Sequence, residues 1–476
     1  MVVGDETLTF EQLYTCAGRL AAAISTRVDR GDRVVMIGDN SSAWIQAYYG
    51  VPWAGAVLVP INQRLTAAEQ AQLVALAEPT VILAEAAYLD ALEPFTDELS
   101  TVHYRIAVDS AEWAAWTGDG ATLQPLELQD AAESAWMLFT SGTTGLPKGA
   151  VLSHRALTTA VMSISWGRPV DEDDVFISAY PLCHVSGIIA CAYHLHRRPV
   201  VILRRFDARG FVEATIRHQA TKTSMAPTML TAVLNELDRS GLELPSLRAM
   251  GFGAAPMPPA VLRRAEARLN VSFEESYGMT ETAGAAVFLG RPSPMCTARI
   301  VDDDMNELPA GDIGEIALRG DALATEYWRD HDATAEAFRN GWLRTGDLGQ
   351  MSLDDGRLRV VGRKKDIIIT GGENVMAREV EDVIHEHPDV AAAAVIGVED
   401  AYWGEAVCAF LVVREGAQVT DDEVCAHVAA RLARFKVPRR IFWIDTLPTN
   451  PSGKVVKPEL RAEARRRVAE AESAAE

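Results

Sequence analysis

The chain predicts an α/β protein: a large N-terminal domain of parallel-rich sheets flanked by helices, followed by a small C-terminal α+β domain. Three observations carry that expectation. Short β-branched runs alternate with segments of helical spacing through most of the chain, the pattern of strands buried under crossover helices. The texture then changes near residue 340, where 348–351 and 358–361 flank Asp354-Asp355-Gly356, a hairpin signal. The last hundred or so residues return to a compact helix-and-strand pattern of their own.

The elements follow in order. Thr9-Phe10-Glu11-Gln12 is a capping box, and Phe10, Leu13, Ala17, Leu20 and Ile24 then recur at helical spacing. Residues 34–37, 56–60, 81–83, 200–203 and 247–252 read as buried strands, and 43–49 as helix. In the smaller domain, Val380, Val383 and Ile384 mark a helix that stops near Pro388, and 391–398 and 407–413 are strands. Thr420-Asp421-Asp422-Glu423 is a second capping box, opening a helix through Leu432. The charged tail after Arg461 reads as a solvated or frayed helix.

Composition narrows the class. With 476 residues, 48% hydrophobic and 23% charged, the chain is an ordinary globular protein of more than one domain. A net charge of −21 argues against general nucleic-acid binding, so basic residues are informative where they gather. No run approaches the roughly 18 apolar residues of a membrane span. Met1 leads straight into Val2-Val3-Gly4-Asp5-Glu6, so no secretory leader is expected and a cytoplasmic protein is. The basic stretch from His196-Arg197-Arg198 to Arg204-Arg205-Phe206 reads as a solvated face, with membrane contact at most peripheral. Six scattered cysteines without a C-x-x-C pair read as reduced thiols, and His194 and His196 are not expected to bind metal.

The chemistry is concentrated in Thr140-Ser141-Gly142-Thr143-Thr144-Gly145-Leu146-Pro147-Lys148-Gly149, which follows the apolar run Ala135-Trp136-Met137-Leu138-Phe139. A strand that runs into a turn rich in glycine and hydroxyls offers backbone N–H groups and side-chain donors to phosphate. Lys148 supplies a point charge. The spacing departs from G-x-x-x-x-G-K-[ST], so this is not a P-loop NTPase.

Further motifs follow: Ser276-Tyr277-Gly278-Met279-Thr280-Glu281, then Thr345-Gly346-Asp347, then Gly362-Arg363-Lys364-Lys365, and finally Leu447-Pro448-Thr449-Asn450-Pro451-Ser452-Gly453-Lys454. Together with the 140–149 loop, in this order, they resemble the adenylate-forming superfamily of acyl-CoA synthetases, luciferases and peptide-synthetase adenylation domains. The resemblance runs from about residue 5 to about 460 and is strongest to bacterial fatty-acid–CoA ligases at Gly371-Gly372-Glu373-Asn374 and Tyr402-Trp403-Gly404-Glu405. Two departures stand out. The further segment that the family usually carries ahead of Val3 to Leu13 is not in this sequence, and Met376-Ala377-Arg378 replaces a more common aromatic-Pro-Ala.

The resemblance implies ATP, Mg²⁺ and coenzyme A, and a carboxylic acid, first of all a medium- or long-chain fatty acid, as substrate. By it, Thr140, Ser141, Gly142, Thr143, Thr144, Gly145 and Lys148 would hold the β- and γ-phosphates. Thr280 would bind the α-phosphate and Glu281 the Mg²⁺. Tyr277, with Gly278 behind it, would stack on adenine, and Gly253, Ala254 and Ala255 would line the base. Asp347 and Arg363 would hold the ribose, and Lys454 would bridge the carboxylate and the α-phosphate. His184, in Tyr180-Pro181-Leu182-Cys183-His184, would lie beside the acyl pocket; from the residues alone it reads equally as a satisfied core histidine. The resemblance also implies domains of 1–364 and 365–476, the second a mobile lid turning about Lys365, which would bring Gly371, Gly372 and Glu373 to the pantetheine tunnel.

The small run Ala283-Gly284-Ala285-Ala286 would suit a deep apolar tunnel or, equally, tight packing. The alternatives are an aryl or alicyclic acid, transfer to a separate carrier protein in place of coenzyme A, a nucleotide-binding module without activity, and a luciferase-like oxidation.

Overall fold

Strand and helix alternate as expected, and several helices begin at a side-chain cap. The computed structural model describes residues 1–4, 6–118, 122–123, 130–140, 147–253, 257–400, 402–414, 416–449 and 455–475. The Thr9 box is formed: Thr9 N donates to Gln12 Oε1 at 2.8 Å and Gln12 N to Thr9 Oγ1 at 3.1 Å, opening the helix Phe10–Ser25. Thr420 and Glu423 do the same for Asp421–Ala429, and Thr66 and Glu69 form a further box before Ala67–Ala77. Capping of this kind is worth about 1 kcal/mol per helix end.

The chain divides into two compact units, the first being Met1–Ala254, Leu269–Thr297 and Leu318–Leu343. It holds two sheets. In one, Val57–Ile61, Arg33–Ile37, Val81–Ala84 and Tyr104–Ala107 are parallel, and the hairpin Ser134–Thr140 with Lys148–Ser153 extends the edge, followed by Glu326–Tyr327. In the other, Val2–Val3, Val200–Ile202, Phe176–Ser178, Lys222–Ser224, Ala249–Phe252 and Ser272–Met279 run parallel. The continuous apolar runs Val57–Ile61, Val81–Ala84 and Val200–Ile202 reflect burial on both faces.

Buried Asn40 ties the two sheets together. Its Nδ2 donates to the carbonyls of Tyr180 (3.0 Å) and Leu203 (2.9 Å), and its Oδ1 accepts from Leu182 N at 2.7 Å. The strand ends Ile37, Ser178 and Ile202 are thereby fixed beside one another, and in open α/β sheets ligands bind at such carboxyl ends.

The run 283–286 is used for packing. Ala283 and Ala286 are buried, and Gly284 lies against Val185 and Ile188. A Cβ on Gly278 would stand 1.9 Å from the Gly284 carbonyl oxygen, so the two strands approach as closely as only glycine permits. Close strand approach thus accounts for the glycine at 278, while Gly284 and Ala285 remain half-buried.

The second unit is Ala255–Arg268, Ala298–Ala317 and Arg344–Glu476. The expected hairpin pairs Trp342–Met351 with Leu358–Arg363, Met351 facing Leu358. Beyond it, Val390–Asp400 and Gly404–Val413 form a long antiparallel pair buried on both faces. Ala393, Val395, Val407 and Leu411 pack with the helices Ala377–His385 and Asp421–Ala429. Ala394, Ile396, Cys408 and Phe410 pack with Leu460 and Ala464 of the helix Lys457–Ala475. The segment after Arg461 is helical, as one of the two expected forms has it, and Leu460 and Ala464, one turn apart, seat the helix on the sheet although charge dominates its composition.

All six cysteines are free, no group of metal-ligating side chains occurs among the described residues, and no described helix is long and apolar enough to cross a membrane. His194 sits in the first unit's interior, its Nδ1 2.9 Å from the Tyr49 hydroxyl and its ring 5.5 Å from that of Phe10. Burial, with the nearby α-amino group, drives its pKa down to about 4. In the unfolded chain the imidazole takes its proton near pH 6.5. The neutral ring therefore costs nothing above pH 6.5, and stability is lost as pH falls from there toward 4. The loss is about 3 kcal/mol at most. Urea unfolding at pH 7 and pH 4.5 is expected to show this drop, and His194→Gln to flatten it.

Candidate active site

In the first unit Thr140 and Lys148, near the two ends of the 140–149 motif, are cross-strand partners. Thr140 closes one strand, Lys148 opens the next, and the Thr140 hydroxyl donates to the Lys148 carbonyl at 3.5 Å. Ser141, Gly142, Thr143, Thr144 and Gly145 lie outside the described residues, as do Ala254, Ala255 and Lys454.

The acidic motif is built differently. Tyr277 and Gly278 lie on Ser272–Met279 at a bulge in its pairing with Gly284–Phe288. The strand then breaks into the single turn Thr280–Thr282, where the Thr282 hydroxyl accepts from Met279 N at 2.9 Å. Ala283 follows at φ 49° and turns the chain back. Glu281 is consequently buried, its backbone carbonyl accepting from Ala324 N at 2.7 Å. A carboxylate in such a place needs donors.

Tyr327 supplies one, and the sequence does not reveal it. Its hydroxyl donates to Glu281 Oε1 at 2.8 Å. Lys148 Nζ stands 5.3 Å from the centre of the same ring, within cation–π range. Tyr327 is held by pairing with Ala150, and Trp328 N donates to the Gly149 carbonyl at 2.7 Å. Burial, and then the negative charge of Glu281, push the Tyr327 phenol well above its ordinary pKa, so it remains a donor at any physiological pH. The two partners are 46 residues apart, and no local motif surrounds Tyr327 beyond its aromatic neighbour Trp328.

His184 precedes the short helical turn Val185–Gly187, its carbonyl accepting from Gly187 N at 2.9 Å, and its Nε2 lies 3.4 Å from Asn62 Nδ2. Gly253 ends the strand Ala249–Phe252 against Ser276.

In the second unit, Asp347 and Arg363 are cross-strand partners, joined by Arg363 Nε to Asp347 Oδ1 at 2.8 Å. The turn that presents Asp347 is pinned on both sides. The Thr345 hydroxyl donates to the Ile316 carbonyl (2.7 Å) and accepts from Asp347 N (3.1 Å), while Gly346 N donates to Glu315 Oε1 (3.0 Å). Asp347 is buried and Arg363 exposed, so a polar ligand approaching the pair meets a fixed acceptor beside an accessible donor.

Lys365 lies in the turn Lys364–Asp366 between two anchors. Lys364 pairs with Asp303 and with Glu315 at 3.4 Å. Asp366 pairs with Arg461 at 3.3 Å and Lys457 at 3.8 Å. Gly371 and Gly372 form the tip of the next hairpin at φ 59° and 83°, with Glu373 opening its second strand. A Cβ on Gly371 would stand 2.7 Å from the Trp403 ring, and Gly371 N donates to the Trp403 carbonyl at 2.8 Å. Glu405 Oε2 accepts from Ile369 N at 2.7 Å. The two motifs at 371–374 and 402–405 are therefore one packed cluster.

The AMP-binding enzyme family model matches residues 1–328, and the AMP-binding enzyme C-terminal domain model matches 379–454. The chain is 34% identical over 482 residues to a fatty acid–[acyl-carrier-protein] ligase, ScoC, of Streptomyces coeruleorubidus, covering 96% of this chain and 91% of that protein. It is 33% identical over 480 residues to an indoleacetate–CoA ligase of Aromatoleum aromaticum, covering 96% and 93%. Among solved structures, ATP-bound MatB from Rhodopseudomonas palustris superposes with a TM-score of 0.89 at 30% identity, covering 97% of this chain and 94% of that one. The chain belongs to the AMP-binding enzyme family of adenylate-forming ligases, whose acyl-CoA ligases work with ATP, Mg²⁺ and CoA.

Proposed function

We propose that this chain is an ATP-dependent acid–CoA ligase. A carboxylate oxygen of the acid attacks the α-phosphorus of ATP, the bond to the β-phosphate breaks, and pyrophosphate leaves. The thiol of coenzyme A then attacks the acyl carbon, its proton is released, and AMP departs with the electrons of the acyl–oxygen bond. The first step gathers anions, so it depends on oriented cations and donors.

One observation carries this reading: Tyr327 joins the acidic motif at Glu281 to the root of the phosphate-type loop at Lys148. A buried carboxylate held in one orientation suits Mg²⁺, a hard cation that takes oxygen donors. Bound there, Mg²⁺ would neutralise phosphate charge. Thr140, Lys148 and the intervening loop would cradle the outer phosphates, and Thr280 the α-phosphate. Tyr277 and Gly253 would border the adenine, and Asp347 with Arg363 the ribose. Lys454 would offset the charge on the carboxylate and α-phosphate, and His184 would border the acid.

For the lid, we propose residues 365–476 turning about Lys365. The anchors on Lys364 and Asp366 leave the residue between them to absorb the change in φ and ψ. In the second pose the cluster of Gly371, Gly372 and Glu373 with Trp403 would serve the thiol.

The acid is proposed as an organic carboxylate. Medium- and long-chain fatty acids head the panel because one relative is a fatty-acid ligase, and aryl acids follow because another acts on indoleacetate. Transfer to a separate carrier protein is the second reading, because a 34% identical relative is named for that acceptor.

The test is purified protein with ATP, Mg²⁺, CoA and a panel of acids, read by pyrophosphate and AMP. Lys454→Ala is expected to lower the adenylation rate roughly 10²–10³-fold. No pyrophosphate from any acid would refute the reading, and thioester formed only with added carrier would favour the second. Tyr327→Phe is expected to lower activity roughly 10–100-fold and to raise the Mg²⁺ needed for half-maximal rate. Its circular dichroism should match wild type; an unchanged Mg²⁺ requirement would contradict the role given to the hydroxyl. Lys365→Pro, which locks φ near −65°, is expected to preserve pyrophosphate exchange and to block thioester formation.

A further inference from the structure

Arg168 is the most heavily engaged buried cation of the first unit that the proposed reaction leaves unused. It follows the helix His154–Gly167, with its backbone N–H donating to the Ile164 carbonyl at 2.8 Å. Its buried side chain meets three adjacent strands, the carboxyl ends of Lys222–Ser224 and Ala249–Phe252 and the middle of Ser272–Met279. Nη1 donates to Ser224 Oγ at 2.8 Å. Nη2 donates to the carbonyls of Glu274 (3.1 Å) and Phe252 (3.5 Å) and to Ser276 Oγ (2.9 Å). Nε stands 3.8 Å from Glu274 Oε2.

One guanidinium therefore touches all three strands, the first two at their last residues and the third midway along its length. Ser276 Oγ also donates to the Phe252 carbonyl at 3.3 Å, closing a ring of contacts between Phe252 and Ser276. The guanidinium lies where a side chain at 251 would start: a Cβ on Gly251 would stand 2.1 Å from Nη1. The next residues along the two strands are Gly253 and Tyr277.

Cohesion alone does not require this arrangement. Taking a guanidinium and a carboxylate out of water is costly, and apolar side chains of similar volume hold strands together as well or better. Burial opposes the charged form of both Arg168 and Glu274. What the planar fork adds is geometry, since several donors in fixed directions set the distances between their acceptors.

We propose that Arg168 is a positioning residue for the nucleotide base, fixing the separation of Gly253 and Tyr277 and hence the width of the slot between them. The proposal rests on the reading above, in which those two residues border adenine.

Direct titration with Mg-ATP and Mg-GTP tests it without knowledge of the acid. Wild type is expected to bind ATP in preference to GTP. Arg168→Lys keeps the charge opposite Glu274 but loses the fork, and its Kd for ATP is expected to rise about tenfold while that for GTP changes less, so the preference collapses. The double variant Arg168→Met with Glu274→Gln removes both buried charges and guards against misfolding of the single variant; it is expected to show the same collapse with a cooperative melt. Wild-type ATP affinity and ATP-over-GTP preference in both variants would overturn the inference while leaving the ligase reading intact. Equal weakening of ATP and GTP would also overturn it, since loss of scaffold alone does not select a base. Failure of wild type to bind either nucleotide would overturn the ligase reading and this inference with it.

Discussion

The hydrogen bond from Tyr327 to Glu281 is the contact on which the first unit's site depends. It satisfies a buried carboxylate, and the same ring meets Lys148 at the root of the loop. A buried acid left without a donor would take up a proton or draw in water. With the phenol in place, Glu281 keeps one orientation, and the acidic turn and the loop root are held to one strand edge. The backbone bond from Ala324 N to the Glu281 carbonyl and that from Trp328 N to the Gly149 carbonyl make the link a short rigid bridge.

The second unit solves an analogous problem with ions. Asp347 is buried, yet its cross-strand partner Arg363 lies at the surface, so the pair is anchored at one end and open at the other. Glu315 supports it by accepting from Gly346 N and by pairing with Arg344 at 2.6 Å, a contact in which the acid is nearly inaccessible. Pairs of this type contribute chiefly by fixing direction, because their desolvation offsets much of their attraction. On either side of Lys365 the charges are paired, Lys364 with Asp303 and Glu315 and Asp366 with Lys457 and Arg461.

A chain with a net charge of −21 has to bring cations to any anionic ligand locally. Under the proposed reading Lys148 would do this from the start of a strand and Arg363 from the end of one, whereas the cation of Arg168 is engaged by the strands themselves. The last is the least visible of the three. It stands outside every motif, and its acceptors lie 56 to 108 residues away along the chain.

Local chemistry alone determined much of the protein. Capping boxes at Thr9 and Thr420 set helix starts because the cap and its partner are three residues apart. The hairpin at 354–356 and the order of the glycine-, hydroxyl- and acid-bearing motifs are equally short-range, so fold class and family were legible. Tertiary structure decided the rest. It assigned the 283–286 run to packing, because strand approach at Gly278 is invisible until Gly284 is placed opposite it. It docked the C-terminal helix through Leu460 and Ala464, which composition hid among charges. It brought Tyr327 to Glu281 and Arg168 to three neighbouring strands, contacts made by chain reversals that no local pattern encodes. Periodicity and caps act over a few residues, whereas a site is assembled by whichever distant groups the packed sheets bring within hydrogen-bond reach.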